Sequence, residues 1–393
     1  MQSDDLPLTG LRVIEFTHMV MGPSAGLVLA DLGADVTRIE PPGGDPTRTL
    51  AGSGAGYFAM YNRNKLSVCV NLKDSAGLAL ARRVAASADV VIENFRPGTL
   101  ERLGLGYETL RADNPRLVYC SAKGFLGGPF ENRVALDEVA QMMGGLAYMT
   151  GPPGRPLRAG ASIVDVTGGL FGVIGILAAL RRRESTGEGA HVKCSLFETT
   201  AFLVGQHIAQ MAVTGWPAAP MPARVSAWAI YDVFEAAAGE QLFVAVVSDS
   251  QWRAFCVEFG FADLAADANL AGNNDRVAQR ERILPIVRAA FERIDRDELL
   301  NRLETAGVPA AKIAKPEDLL EDPHLNAAGG FVDLTLPGGK SARLPALPLE
   351  IDGARPGLWR DLSAPGANSR SVLEELGLRT EEIDALIRAG TIE

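Results

Sequence analysis

One stretch, residues 158–183, constrains this chain more than any other. From Val166 to Leu180 only Thr167 is polar, and glycines recur as Gly168, Gly169, Gly172 and Gly175. A helix that is apolar on every face demands burial on every face, and its glycines admit a second backbone at close range. At about 1.5 Å per residue, the run from Gly168 to Leu180 spans roughly 20 Å, too short for a bilayer. Arg181, Arg182 and Arg183 fall in the last turn, where cations suit the negative end of the helix dipole. At the opposite end stands Asp165, between Val164 and Val166.

Two readings of Asp165 follow. As an N-cap, its carboxylate would accept a bond from the second or third helical N–H. As a nucleophile, it would stay ionised at the positive end of a buried helix. Gly168 and Gly169 would then leave backbone N–H groups open beside it to hold an oxyanion. An ionised carboxylate in such a place can attack an activated acyl group.

The rest of the composition narrows the class. With 393 residues, 47% apolar and 22% charged, the chain reads as an ordinary soluble enzyme of about two or three domains. A net charge of −10 argues against a general nucleic-acid or anionic-membrane role, while leaving room for a local basic patch. Cys69, Cys120, Cys194 and Cys256 form no Cys-x-x-Cys pair, and His18, His191, His207 and His324 lack metal-ligand spacing. The expectation is reduced thiols, no metal and a cytoplasmic protein. Residues 1–5 carry no basic or apolar leader pattern, so no signal peptide is expected.

Strand-length apolar runs alternate with helical patterns: strand 11–16, helix 23–33, strand 34–40, strand 65–72, helix 74–86, strands 88–93 and 117–121. That alternation predicts an α/β, Rossmann-like domain with a parallel sheet. The turn after the first strand, 17–22, has one glycine where a Gly-x-Gly-x-x-Gly fingerprint needs three, so a nicotinamide or flavin site is not expected. His18, Met19 and Val20 in that turn read equally as packing residues or as site lining, since open α/β sheets bind ligands at strand carboxyl ends. The Gly-rich loop 43–56 reads as functional or mobile, without a phosphate-loop Lys-Ser/Thr after it. A helix is expected over 131–144, a strand over 189–196 and a helix over 197–214.

Pro217, Pro220 and Pro222 then mark a boundary, giving a large domain over 1–225. A smaller α+β domain over 226–330 would hold a hairpin near 230–247, helices at 250–259, 276–294 and 296–306, and a strand at 308–314. The segment 331–393, with a hairpin at 331–344 and a helical tail at 369–392, would return to the large domain. Arg38, Lys73, Arg96, Arg102, Lys123 and Arg133 recur after strands or in loops. Each alone reads as a solvated charge, and together they could bind a phosphorylated ligand.

Several words along the chain resemble one family. They are Leu11-Arg-Val-Ile-Glu-Phe16 with Gly22-Pro23, Ala30-Asp-Leu-Gly-Ala-Asp-Val-Thr-Arg38-Ile-Glu40, Asn62-Arg-Asn-Lys65 and Asp89-Val-Val-Ile-Glu-Asn-Phe-Arg-Pro-Gly98. Arg102-Leu-Gly-Leu-Gly106, Asn114-Pro-Arg-Leu117, Thr186-Gly-Glu-Gly189 and Glu321-Asp-Pro323 complete the set. From about residue 8 to its C-terminus the chain resembles the class III CoA-transferases, whose cousins include α-methylacyl-CoA racemases. The resemblance implies that Asp165 is the covalent nucleophile and that an aspartyl-CoA thioester forms on it. It implies CoA contacts at Arg38, Lys73, Asn94, Phe95 and Arg102, with Val70 against the adenine and Arg133 as a further contact. Met19 and Val20 would approach the thioester, and Asp137 would be the acid near the nucleophile. An interlocked homodimer is implied as well, with CoA and acyl-CoA as substrates, carboxylic acids as partners, and no permanently bound cofactor.

Two rivals stand beside transfer. A racemase or epimerase would resemble its relatives in a Gly-His-Asp motif where this chain has Ala135-Leu136-Asp137, and leucine carries no proton. A non-catalytic CoA-binding protein would have no use for Asp165. Formyl and oxalyl transferases resemble one another in a tetraglycine loop, whereas 230–248 here contains only Gly239. Finally, Arg224 lies among apolar neighbours near Trp228 and Tyr231 at the domain boundary. It reads either as a snorkelling surface residue or as a bidentate clamp for a second carboxylate, making succinate-like acids substrates and succinyl-CoA a donor.

Overall fold

The computed structural model describes residues 6–393, so the leader-free reading of residues 1–5 lies outside the described residues. The fold is mixed α/β. Strands β1 (Arg12–Phe16), β2 (Asp35–Glu40), β3 (Lys65–Cys69), β4 (Val90–Glu93), β5 (Val118–Lys123) and β6 (Ala190–Ser195) form one sheet in the order β3-β2-β1-β4-β5-β6. Every neighbouring pair in it is parallel. Its central strands read as apolar runs such as Val90-Val91-Ile92 because helices cover both faces. The order reverses between β1 and β4, which opens a crevice at their carboxyl ends.

On one face of the sheet pack α1 (Met21–Asp31) and the long helix α3 (Ile163–Thr186); α2 (Asp137–Met143) precedes α3 in the chain. On the other face pack Ser75–Ala86 and the tail helices Ser369–Glu375 and Thr380–Arg388. The tail is two helices and not one because Gly377 turns left-handed, at φ 80°. Its end is stitched to the sheet edge where Asn71 N–H donates to the Thr391 carbonyl at 2.8 Å.

The glycines of α3 serve close approach. A Cβ on Gly169 would fall 2.7 Å from the Met21 carbonyl oxygen and 2.3 Å from Ser24 Oγ, both on α1. The backbone oxygen has no rotamer by which to retreat. Gly169→Ala is therefore expected to destabilise the fold by about 1–3 kcal/mol, read as a lower urea midpoint. A midpoint equal to wild type would show that the two helices can part without cost.

Burial on every face, however, does not hold. Val164, Gly168, Gly172, Val173, Ile176 and Ala179 are buried, whereas Leu170, Ile174 and Leu177 form an exposed stripe, with Ile174 61% exposed. With 24 residues the helix has the length a bilayer would require. What sets its place is the packing of its inner face on α1, β5 and β6. The apolar exposure continues on α4 (Leu196–Leu203) and α5 (Gly205–Thr214), where Phe202 is 72% exposed. These two, expected as one helix, divide at Val204.

A second compact unit comprises Ala223–Asp322, and the first comprises Met1–Pro222 with Pro323–Glu393. The second holds an antiparallel sheet of β7 (Tyr231–Glu235), β8 (Gln241–Ala245) and β9 (Ala310–Lys312) in that order. Its own core is built from Phe234, Val244, Phe255, Val287, Phe291 and Leu303. The chain rejoins the first unit at Pro323 and not at 331. The Gly330 carbonyl accepts from Ala346 N–H, and Gly330 N–H donates to the Leu325 carbonyl, so the short helix Pro323–Ala327 travels with the hairpin β10 (Phe331–Thr335) and β11 (Ser341–Pro345).

Candidate active site

The crevice between β1 and β4 is closed by a turn from each strand. His18 N–H donates to Asn94 Oδ1 at 2.9 Å, and Asn94 Nδ2 donates to the His18 carbonyl at 2.8 Å. The Asn94 amide thus fastens the two turns, spending its side chain on the protein. Next to it Met19 holds φ 62°, a left-handed conformation in a residue with a side chain. Such strain persists where the surrounding structure imposes it, commonly at a site. The Phe95 ring meets the His18 ring edge-on at 5.3 Å. Burial, with help from Arg38, keeps the His18 imidazole below its ordinary pKa.

Into this crevice points the start of α3. The N-cap is Ser162, whose side chain makes no cap bond, and Asp165 is the third helical residue. The capping reading of Asp165 is thereby corrected, because the job is done from another helix. Asp137 Oδ2 accepts from the N–H groups of Val164 at 2.9 Å and Asp165 at 3.1 Å. Its Oδ1 accepts from Gln141 Nε2 at 2.6 Å and lies 3.6 Å from Arg158. Two orphan donors of the helix end are satisfied by one remote carboxylate. Among the described residues the Asp165 carboxylate itself accepts no hydrogen bond. Burial, and then the charge of Asp137, push its pKa up to about 7, against a partial opposing pull from Arg158. Tyr61 is raised for related reasons, burial first and then the Asp165 charge.

Gly168 and Gly169 stand differently from the expectation. Inside α3 their N–H groups belong to the helical ladder, and their open side faces α1 instead of the cavity. They lend space to a helix crossing and no donor to an oxyanion.

Two cavities meet at this point. The first, of about 420 Å³, is lined by His18, Met19, Val20, Asn94, Arg133, Asp137 and Asp165 among others. The second, of about 710 Å³, is lined by Val70, Leu72 and Lys73 together with Ile39 and Pro41. His18, Met19 and Phe95 line both and form the neck between them. Most of the residues singled out in the sequence therefore gather here; besides Gly168 and Gly169, the exceptions are Arg38, Arg102 and Arg224. Arg38 is 1% exposed. Its guanidinium is bound to Asp45, to Asn62 Oδ1 at 2.6 Å and to the Thr17 carbonyl at 3.1 Å, with Glu15 at 3.5 Å. It props the floor beneath the second cavity through its two terminal nitrogens, while its Nε has no hydrogen-bond partner. Arg102 is exposed, contacts Thr99 Oγ1 at 3.3 Å and lines neither cavity. Arg224 is half-buried and belongs to the second unit.

Sequence reasoning passed over Ser53, Tyr57 and Arg158, all of which line the first cavity. Tyr57 and Tyr61 share the short helix Tyr57–Tyr61 directly after the Gly-rich loop, and their i,i+4 spacing was the available signal. Leu136 also lines the first cavity, where the racemase pattern would require an imidazole.

Comparison with known proteins adds to this geometry. The model of CoA-transferase family III matches residues 8–369. The succinate–glutarate CoA-transferase of Agrobacterium fabrum is 36% identical over 346 residues, covering 85% of this chain and 86% of that protein. The acetyl-CoA:oxalate CoA-transferase of Acetobacter aceti is 36% identical over 354 residues, covering 88% and 90%. A solved CAIB/BAIF family protein from Brucella suis superposes with a TM-score of 0.82 at 34% identity, over 94% of this chain and 99% of that one.

Proposed function

The chain belongs to CoA-transferase family III, and we propose that it carries CoA between carboxylic acids through a thioester formed on Asp165. One observation carries the mechanism: a carboxylate on the first turn of a core-packed helix, free of hydrogen bonds, faces a cavity while Asp137 holds its backbone. Once ionised, a carboxylate so placed can attack a thioester directly, because its oxygens are not tied up in hydrogen bonds and the neighbouring N–H groups are already satisfied.

The steps balance without any other reagent. A carboxylate oxygen of Asp165 attacks the donor thioester carbonyl, and the C–S bond breaks to give a mixed anhydride and CoA thiolate. The thiolate attacks the Asp165 carbonyl carbon, releasing the donor acid and leaving the aspartyl-CoA thioester. The acceptor carboxylate attacks that thioester, and the thiolate then attacks the acceptor's side of the new anhydride. Asp165 leaves as it began. The nucleotide end of CoA suits the second cavity, with Val70 and Leu72 against the base and Lys73 near the phosphates. Its thiol arm threads the neck at His18, Met19 and Phe95 toward Asp165. Dicarboxylic acids are the favoured substrates, since the succinate, glutarate and oxalate in the relatives' names are all dicarboxylates. Between them the glycine-poor 230–248 segment favours the longer acids over oxalate. Incubation with succinyl-CoA followed by mass spectrometry tests the covalent step. The expected product is a CoA adduct on the Asp165 peptide, and deuterium exchange at the α-carbon with no adduct would point to a racemase.

The exposed stripe of α3 with Phe202 of α4 supports a homodimer that covers it, interlocked as in the resemblance. Sedimentation should then report about twice the 41.7 kDa chain mass, and a monomer at micromolar concentration would refute this. Four unpaired, buried cysteines support a reducing, cytoplasmic location, which cell fractionation would check.

A further inference from the structure

The cavity around Asp165 is crowded with charge. Asp137, Glu138 and Asp165 supply its acids, and Arg96, Lys123, Arg133 and Arg158 its cations. A dicarboxylic acyl group brings a second negative charge into this space, and desolvating it beside three acids is unfavourable unless a cation without a partner receives it. Two of the four cations are already committed. Lys123 donates to Glu93 at 2.7 Å and to the Phe95 carbonyl at 2.8 Å. Arg158 donates to Glu138 at 2.8 Å and lies 3.6 Å from Asp137. Among the described residues Arg96 and Arg133 have no carboxylate within ion-pair range.

These two differ in where they stand. Arg96 adjoins Phe95, which lines both cavities, so it flanks the neck that the CoA arm must thread. Arg133 heads the wall Val134-Ala135-Leu136, apolar residues that line the Asp165 cavity and absent from the other. Its guanidinium carbon sits 4.8 Å from the centroid of Phe130 and 6.0 Å from that of Phe125. Stacking on rings orients the guanidinium plane and leaves its N–H edge unspent. Arg133 precedes by four positions Asp137, whose Oδ2 is 3.1 Å from Asp165 N. Four residues span at most about 14 Å, within the combined reach of an arginine side chain and a short dicarboxylate.

We infer that Arg133 grips the distal carboxylate of a dicarboxylic substrate while the near end reacts at Asp165, with the methylenes lying along Val134 and Leu136. The assignment rests on the dicarboxylate reading above and replaces both Arg224 as the clamp and a role for Arg133 on CoA. A fork that binds carboxylate bidentately is the chemistry required, and a lysine supplies only part of it.

The test compares glutarate with valerate as acceptors for one succinyl-CoA donor, in wild type, Arg133→Ala and Arg133→Lys, alongside the Kd of free CoA by calorimetry. In Arg133→Ala the glutarate-to-valerate ratio of kcat/KM should fall on the order of 10- to 100-fold, with a smaller fall in Arg133→Lys and an unchanged CoA Kd. A weaker CoA Kd with equal losses for both acids would assign Arg133 to the CoA phosphates and overturn the proposal. A wild-type preference for glutarate that survives Arg133→Ala would overturn it too, leaving the dicarboxylate reading intact. Should wild type show no preference for glutarate, the dicarboxylate reading itself fails, and this assignment with it.

Discussion

Asp165→Ala should lose CoA transfer by at least about a thousandfold while gaining stability at alkaline pH. Loss of a covalent nucleophile removes the reaction path itself, so the residual rate reflects only binding and orientation. The stability half follows from the environment of the side chain. Burial and Asp137 raise the folded pKa to about 7 from an ordinary 3.8. The ionised form is therefore the one the fold disfavours. Below the unfolded value both states are protonated and the residue costs nothing. As pH rises toward the folded value the cost grows, and above it the cost is complete, on the order of 1–4 kcal/mol. Replacing Asp165 by Ala or Asn should thus raise the Tm at pH 8 and leave it near wild type at pH 4. Activity above a hundredth of wild type would remove Asp165 from the covalent role. A Tm lowered at pH 8 would show that the carboxylate is held by contacts and not merely tolerated.

The second large effect belongs to Asp137, a residue that positions the nucleophile and sets its charge. Its Oδ2 holds the N–H groups of both Val164 and Asp165, so Asp137→Ala lets the first turn of α3 fray at the point where the attack must occur. A displacement of about 1 Å there is expected to lower kcat on the order of a hundredfold. Asp137→Asn isolates the electrostatic part. The amide oxygen can still accept, but the like charge that raises Asp165 is gone, so Asp165 should ionise at lower pH. The acid limb of kcat/KM, expected near pH 7 in the free wild-type enzyme, should move down in Asp137→Asn. An unmoved limb in Asp137→Asn, together with a wild-type kcat in Asp137→Ala, would leave Asp137 as an ordinary helix cap.

What local pattern encodes was legible before any tertiary contact was known. Strand-length apolar runs and helices of period 3.6 in alternation are sufficient for an α/β class, and the six parallel strands lie where those runs occur. Asp165 was visible as the one charged residue at the mouth of an apolar helix, and the glycines of that helix did announce a close neighbour. Strand order has no local signature, and much of the site depends on it. Setting β2 beside β1 puts Arg38 opposite Glu15, and Asp45 and Asn62 then complete its burial, so a cation that reads as a phosphate ligand becomes part of the floor. Inserting β4 beside β1 brings Asn94 onto His18 and creates the neck. The cap that the sequence offers through Asp165 comes from Asp137, 28 residues away, because a helix end accepts any carboxylate the fold delivers to it. The outer face of α3, apolar in sequence like the inner one, differs from it in a single respect: α1 and the sheet cover the inner face and leave Ile174 in the open. Composition determines that such a helix seeks burial, and only the packing of this fold decides which face the chain itself can bury.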